Sequence, residues 1–139
     1  MKTISTLSLP ARIENLGAFI AGVTEAAKAT GFNPRKIFDI ELALEEVLVN
    51  IINYAYQGKT GDIELSCKSD NKEWFIMEIA DTGSPFDVLS VPPPDLTADI
   101  DERKIGGLGI FFMKKLVDDV KYRREGERNV LELKMRLNS

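Results

Sequence analysis

The sequence contains no histidine and only one cysteine. The first absence removes Ser-His-Asp triads, Cys-His pairs and His-ligated zinc from consideration. The second leaves Cys67 unable to form an intrachain disulfide or a multi-thiolate metal site, which suits a reducing cytoplasm. A basic surplus is also lacking, because 18 Lys and Arg stand against 22 Asp and Glu for a net charge of −4. The phosphates of a nucleic acid would meet no matching positive field, and no nucleic-acid partner is expected. The apolar residues of the N-terminal stretch are broken by Pro10, Arg12 and Glu14, so it reads as neither a signal peptide nor a membrane span. There is no GxxxxGK[ST] loop, and Gly106-Gly107-Leu108-Gly109 does not follow a parallel first strand as a dinucleotide fingerprint requires.

What is present is an ordinary soluble composition, 44% apolar and 29% charged over 139 residues, expected to form one cytoplasmic domain spanning 1–139. Residues 2–9 alternate imperfectly and stop at Pro10, the signature of an edge strand. From 11 to 30, Ile13, Leu16, Phe19, Ile20, Val23 and Ala27 recur at three and four, predicting an amphipathic helix that Gly31 stops. Asn33-Pro34 opens a second helix, running to Tyr56, with Ile37, Ile40, Leu44, Val47, Leu48, Ile51 and Ala55 on one apolar arc. Two strands follow around a turn at Ser69-Asp70-Asn71-Lys72, and the second, WFIMEIAD, is apolar enough to be central and covered on both faces. Residues 84–105, rich in proline, form a long irregular stretch of the kind that serves as a lid or binding segment. A third helix begins after Gly109, and a final hairpin turns at Glu125-Gly126-Glu127. This order predicts an α+β fold, a two-layer sandwich with a mixed or antiparallel sheet and helices on one face.

Three constellations carry chemistry. Glu46, Asn50, Asn53 and Gln57 fall within about 60° on the second helix, bordered by apolar residues. The carboxylate can accept a proton and an amide oxygen can ligate Mg²⁺. A partly exposed polar helix face is the plainer alternative. Asp81-Thr82-Gly83 ends the central strand. Its ionised carboxylate can accept from an exocyclic amine such as adenine N6, with Gly83 admitting the base, or the tripeptide is simply a turn. Gly106-Gly107-Leu108-Gly109 before a helix exposes backbone N–H groups suited to an anion, with close packing as the alternative. Three glycines there cost roughly 1 kcal/mol each relative to alanine. Arg103 and Lys104 can add cationic contacts to phosphates.

Taken together and in this order, the segments resemble the GHKL-type ATPases of the Bergerat fold. Glu46-Val47-Leu48-Val49-Asn50 is similar to the N box, Asp81-Thr82-Gly83 to the first glycine box and Gly106-Gly107-Leu108-Gly109 to the second, with 84–105 as the ATP lid. In detail the chain looks like the stand-alone anti-sigma-factor serine/threonine kinases. That resemblance implies Glu46 as general base and Asn50 as Mg²⁺ ligand. It implies Asp81 on the adenine amino group with Gly83 making room, and Asn53, Lys104, Gly106, Gly107, Leu108 and Gly109 in the nucleotide site. The cofactors it implies are ATP and Mg²⁺. The implied partners are a STAS-domain anti-anti-sigma phosphoacceptor and a sigma factor, with a possible homodimer through the N-terminal strand and no membrane. Where many relatives carry a threonine supporting the adenine contact, this chain reads Asn129-Val130-Leu131. A nucleotide-gated binding module without kinase chemistry is the alternative function.

Overall fold

A computed structural model describes residues 1–56, 59–90 and 113–137. Five strands, β1 (Lys2–Pro10), β2 (Asp62–Ser69), β3 (Trp74–Asp81), β4 (Asp119–Glu125) and β5 (Arg128–Arg136), form one sheet in the order β1-β2-β3-β5-β4. Every pairing among them is antiparallel, as expected when tight turns join successive strands. Helices α1 (Leu16–Thr30) and α2 (Pro34–Asn50) cover one face. The expected α+β architecture is present, with β1 on an edge and β3 in the centre. No helix among the described residues is long and apolar enough to cross a membrane.

Local chemistry explains the element ends. The N-cap residue Asn33 accepts from the Lys36 N–H at 2.9 Å, and Pro34 opens the first turn of α2. Gly31 closes α1 at φ 100°, a left-handed position that suits glycine. Between β2 and β3, Asp70 Oδ1 accepts from the Lys72, Glu73 and Trp74 N–H groups at 2.9–3.0 Å. These bonds hold its carboxyl down to about 2. The predicted helix over 11–30 opens with a short 3-10 turn at Ile13–Asn15 before α1 begins. Asn15 spends its side chain on the Pro10 carbonyl, at 2.8 Å, instead of capping the helix.

The inner face of the sheet is the core. Phe75, Met77 and Ile79 of β3, Ile63, Leu65 and Cys67 of β2, and Leu131, Leu133 and Met135 of β5 meet Ile40, Leu44, Val47 and Leu48 of α2. Phe32 sets an edge-on contact against Phe75, with ring centres 5.4 Å apart. Both faces of β3 carry buried residues, as predicted for a central strand. On the outer face Ile76 and Ala80 are buried, with Lys68 and Lys134 paired beside Ile76 and with Glu64 and the buried Val130 beside Ala80. Glu78 draws in Lys68 at 3.5 Å and Arg123 at 3.6 Å. Lys134 and Arg136 lie over the Trp74 ring, at 4.6 and 4.9 Å.

The second helix does not reach Tyr56 as one regular α-helix. It ends at Asn50 and continues as a π turn, Ile51–Ala55. The wider turn buries Ala55 and Tyr56 while leaving Asn53 and Tyr54 exposed. The Tyr56 hydroxyl donates to the Asp62 carbonyl and accepts from the Thr82 N–H at 3.0 Å. One side chain therefore joins the helix end to the start of β2 and the end of β3. Replacing Tyr56 with Phe strands both backbone groups. A loss of about 1–3 kcal/mol is expected by denaturant titration, with the fold retained.

Candidate functional site

Glu46 and Asn50 occupy successive turns at the end of α2. Asn50 is 2% exposed, and its amide nitrogen donates to the Glu46 carbonyl at 2.7 Å and to Glu46 Oε2 at 3.3 Å. Both acceptors are oxygens, so the amide orientation is fixed and Oδ1 points away from them. Among the described residues, Oδ1 accepts no hydrogen bond. A buried, neutral, unengaged oxygen is a donor that a hard cation such as Mg²⁺ takes, and Mg²⁺ commonly needs only one or two protein oxygens beside phosphates and water. No cluster of three or more acidic or thiol ligands exists among the described residues. Burial pushes the Glu46 carboxyl above its usual value, opposed by the Asn50 bond and reinforced by the neighbouring Glu45 charge.

Asp81 lies 3% exposed at the end of β3. The Gly83 N–H and the Asn129 amide both donate to its Oδ1, each at 2.9 Å. Oδ2 accepts nothing from the described residues. Burial raises the Asp81 carboxyl, while the Asn129 and Gly83 bonds and the Arg124 charge pull it back. Gly83 has a steric reason as well. A Cβ there would lie 2.7 Å from the Ala55 carbonyl oxygen, and the next N–H, of Ser84, donates to that same oxygen at 2.9 Å. The close approach that this glycine permits here is between the end of β3 and the π turn.

A hollow of about 10 Å³ opens beside Asp81, between Ile51, Ile79, Phe86, Asn129 and Leu131. That is room for about one water. Phe86, one of its lining residues, packs on Tyr54 with ring centres 5.6 Å apart. A larger cleft, about 570 Å³, is also lined by Asp81 and Thr82 at the β3 end, and Arg12, Lys59, Asp62, Glu64 and Arg128 give it mixed charge. Neither Glu46 nor Asn50 lines it.

Of the residues expected in the site, the half-buried Glu46 with the buried Asn50, and the buried Asp81 with Gly83, form two polar clusters bordering the π turn. Asn53 is exposed, because the π turn interrupts the helical period that aligned it with Asn50. Lys104, Gly106, Gly107, Leu108 and Gly109, and residues 91–105 of the expected lid, lie outside the described residues, as does Gln57. Sequence reasoning missed the structural weight of Tyr56, Tyr122 and Arg124, and registered Asn129 only as a departure. Tyr56 is read from the sequence only as the end of the second helix, and Asn129 meets Asp81 across 48 residues of sequence.

A family model described as a histidine kinase-like ATPase domain matches residues 9–135. The chain belongs to that family. It is 33% identical over 129 residues to the serine-protein kinase RsbW of Listeria monocytogenes serovar 1/2a, covering 87% of this chain and 80% of the relative. The RsbW of Listeria innocua is 32% identical over the same shares. The RsbW of Oceanobacillus iheyensis is 29% identical over 83% of this chain and 75% of its own. The family match takes in Glu46, Asn50, Asp81, Gly83 and Asn129.

The raised Glu46 carboxyl has a stability consequence. Its charged form is less favoured in the folded chain than in the unfolded one, so the penalty is full at neutral pH and disappears below the ordinary value of 4.5. Glu46→Gln is therefore expected to melt at an equal or higher temperature than the parent at pH 7. The gain should vanish as the pH approaches 4, as read by thermal unfolding across pH.

Proposed function

We propose that this protein is an ATP-dependent serine/threonine protein kinase acting as an anti-sigma factor, phosphorylating a STAS-type anti-anti-sigma partner and holding a sigma factor in the cytoplasm. The observation that carries the reading is the family match over residues 9–135, with Glu46 and Asn50 paired at the buried end of α2. The kinase names of the relatives point to the same chemistry.

In this reading the adenine amino group donates to Asp81 Oδ2, the carboxylate oxygen that the described residues leave open. The phosphates lie toward Gly106, Gly107, Leu108 and Gly109, whose backbone N–H groups suit an anion, with Lys104 adding charge. Asn50 Oδ1 would hold Mg²⁺, which supplies charge neutralisation on the phosphates when bound. Glu46 takes the proton from the attacking Ser or Thr hydroxyl as its oxygen bonds to the γ-phosphorus and the bond to the β-phosphate oxygen breaks, releasing ADP. Burial suits Glu46 to this task, because an elevated carboxyl is a better proton acceptor than an exposed one. Its hydrogen bond from Asn50 couples the base to the phosphate-side ligand.

The test uses Mg-ATP, a purified STAS-domain partner and two variants. Mg-ATP is expected to raise the melting temperature of the parent and of Glu46→Gln by several degrees, as ligand in large excess over Kd does. Asn50→Ala should shift much less. Phosphate transfer to the partner should fall by at least about 100-fold in Glu46→Gln. Transfer that persists in Glu46→Gln would contradict the base assignment. A nucleotide-dependent partner interaction with no phosphoprotein would select a nucleotide-gated binding module instead.

A further inference from the structure

Asn129 has the most crowded polar side chain among the described residues. It is 3% exposed. Its oxygen accepts from the Tyr122 hydroxyl at 2.6 Å, the Arg124 guanidinium at 3.1 Å and the Phe86 N–H at 3.2 Å. Its nitrogen donates to Asp81 Oδ1 at 2.9 Å and to the Ser84 carbonyl at 2.8 Å. Three donors converging on one end of a carboxamide leave a single orientation, with the NH₂ toward Asp81. A hydroxyl has one proton and could not serve Asp81 and Ser84 together. Arg124 also donates to the Gly83 carbonyl at 3.0 Å, so the same guanidinium touches both the amide and the segment leaving β3.

Resting on the reading that this site takes an adenine nucleotide, we propose that Arg124 and Tyr122 of β4 are positioning residues for base recognition, acting through Asn129. They fix its amide polarity, Asn129 engages one oxygen of Asp81, and the other oxygen is presented to an exocyclic amine. The groups facing Asp81 are consistent with this. From β4 come Arg124 and Tyr122, from β5 Asn129, from β2 the paired Ile63, and from the π turn Ile51. The cleft that Asp81 also lines carries Arg12, Lys59 and Arg128 with Asp62 and Glu64, and Arg124 is the cation whose charge lowers the Asp81 carboxyl.

The decisive variant is Asn129→Asp, which keeps the size and the acceptor for Tyr122, Arg124 and Phe86 but sets a second carboxylate oxygen against Asp81. Two carboxylates in contact hold one proton between them well above the ordinary range. Once shared, that proton restores a donor to Asp81 Oδ1. The measurement is calorimetric affinity for Mg-ATP and for Mg-inosine triphosphate, which carries a carbonyl oxygen in place of the amine, from pH 5.5 to 8.5. The parent is expected to prefer ATP and to weaken as acid protonates Asp81. Asn129→Asp is expected to bind ATP about tenfold or more weakly at pH 8 and to recover as the pH falls, reversing the slope. Arg124→Ala, at an exposed position on β4, should lose several-fold in ATP affinity and narrow the ATP-to-inosine ratio. It keeps the test open should Asn129→Asp not fold.

Parent-like affinity and slope in the folded variants would overturn the inference while leaving the functional reading standing. So would an equal loss for both nucleotides with no change of slope. A parent that binds neither nucleotide would overturn the functional reading and this inference with it.

Discussion

Placing a carboxylate at the buried end of a central strand carries a desolvation cost that only hydrogen bonds and charge can offset. Asp81 meets that cost on one oxygen, through the Gly83 N–H and the Asn129 amide, with Arg124 contributing at longer range. Those partners come from the loop after β3, from β5 and from β4. Four features of the chain thus converge on one side chain: the central position of β3, the tight exit at Gly83, the polar start of β5 and the reach of Arg124 from β4. The second oxygen is left without a donor from the described residues. An incomplete solution of this kind is what a binding group looks like before its ligand arrives, and it is the physical basis of the adenine reading.

The helix layer answers to the same place. For Gly83 to hydrogen-bond back onto Asp81, the chain must pass close to the Ala55 carbonyl, closer than any side chain at 83 would allow. The π turn supplies a carbonyl that Ser84 caps, satisfying one of the acceptors that a helix end leaves open. It also turns Tyr56 toward β2 and β3, where its hydroxyl bonds Asp62 and Thr82. Glu46 and Asn50 lie just before that turn, so the base and metal-ligand candidates stand on the same rigid element that receives the end of β3. In kinase terms, the groups assigned to the two ends of a nucleotide are linked through packed backbone and not through a loop.

Much of the fold was legible because its signals are local. The alternation of Ile63, Leu65 and Cys67, the Asn33-Pro34 opening of α2 and the Gly31 stop each depend on residues a few positions apart, and these three features stand where they were expected. The sheltered placement of Glu46, Asn50 and Asp81 was legible for a related reason, since a polar group bordered by apolar neighbours has to be explained. What could not be read was non-local. The π turn leaves no mark in the sequence, since Ile51, Ile52 and Ala55 satisfy an ordinary helical period equally well, and Asn53 was aligned with Asn50 on that assumption. The Asn129 cluster gathers Asp81, Ser84, Phe86, Tyr122 and Arg124 through sheet register, which no short window contains. The neighbours of Ile76 and Ala80 on the outer face of β3 are likewise set by register.

The central claim, that Asp81 is a buried carboxylate half-satisfied by the protein and completed by an adenine amine, is tested most directly by carboxyl-carbon NMR titration of Asp81 with and without Mg-ADP. The free protein should show a carboxyl titrating above the ordinary 3.8. Mg-ADP should move it down, because a donor on the free oxygen favours the ionised form. An Asp81 that titrates near its ordinary value in the free protein and does not respond to Mg-ADP would contradict the account.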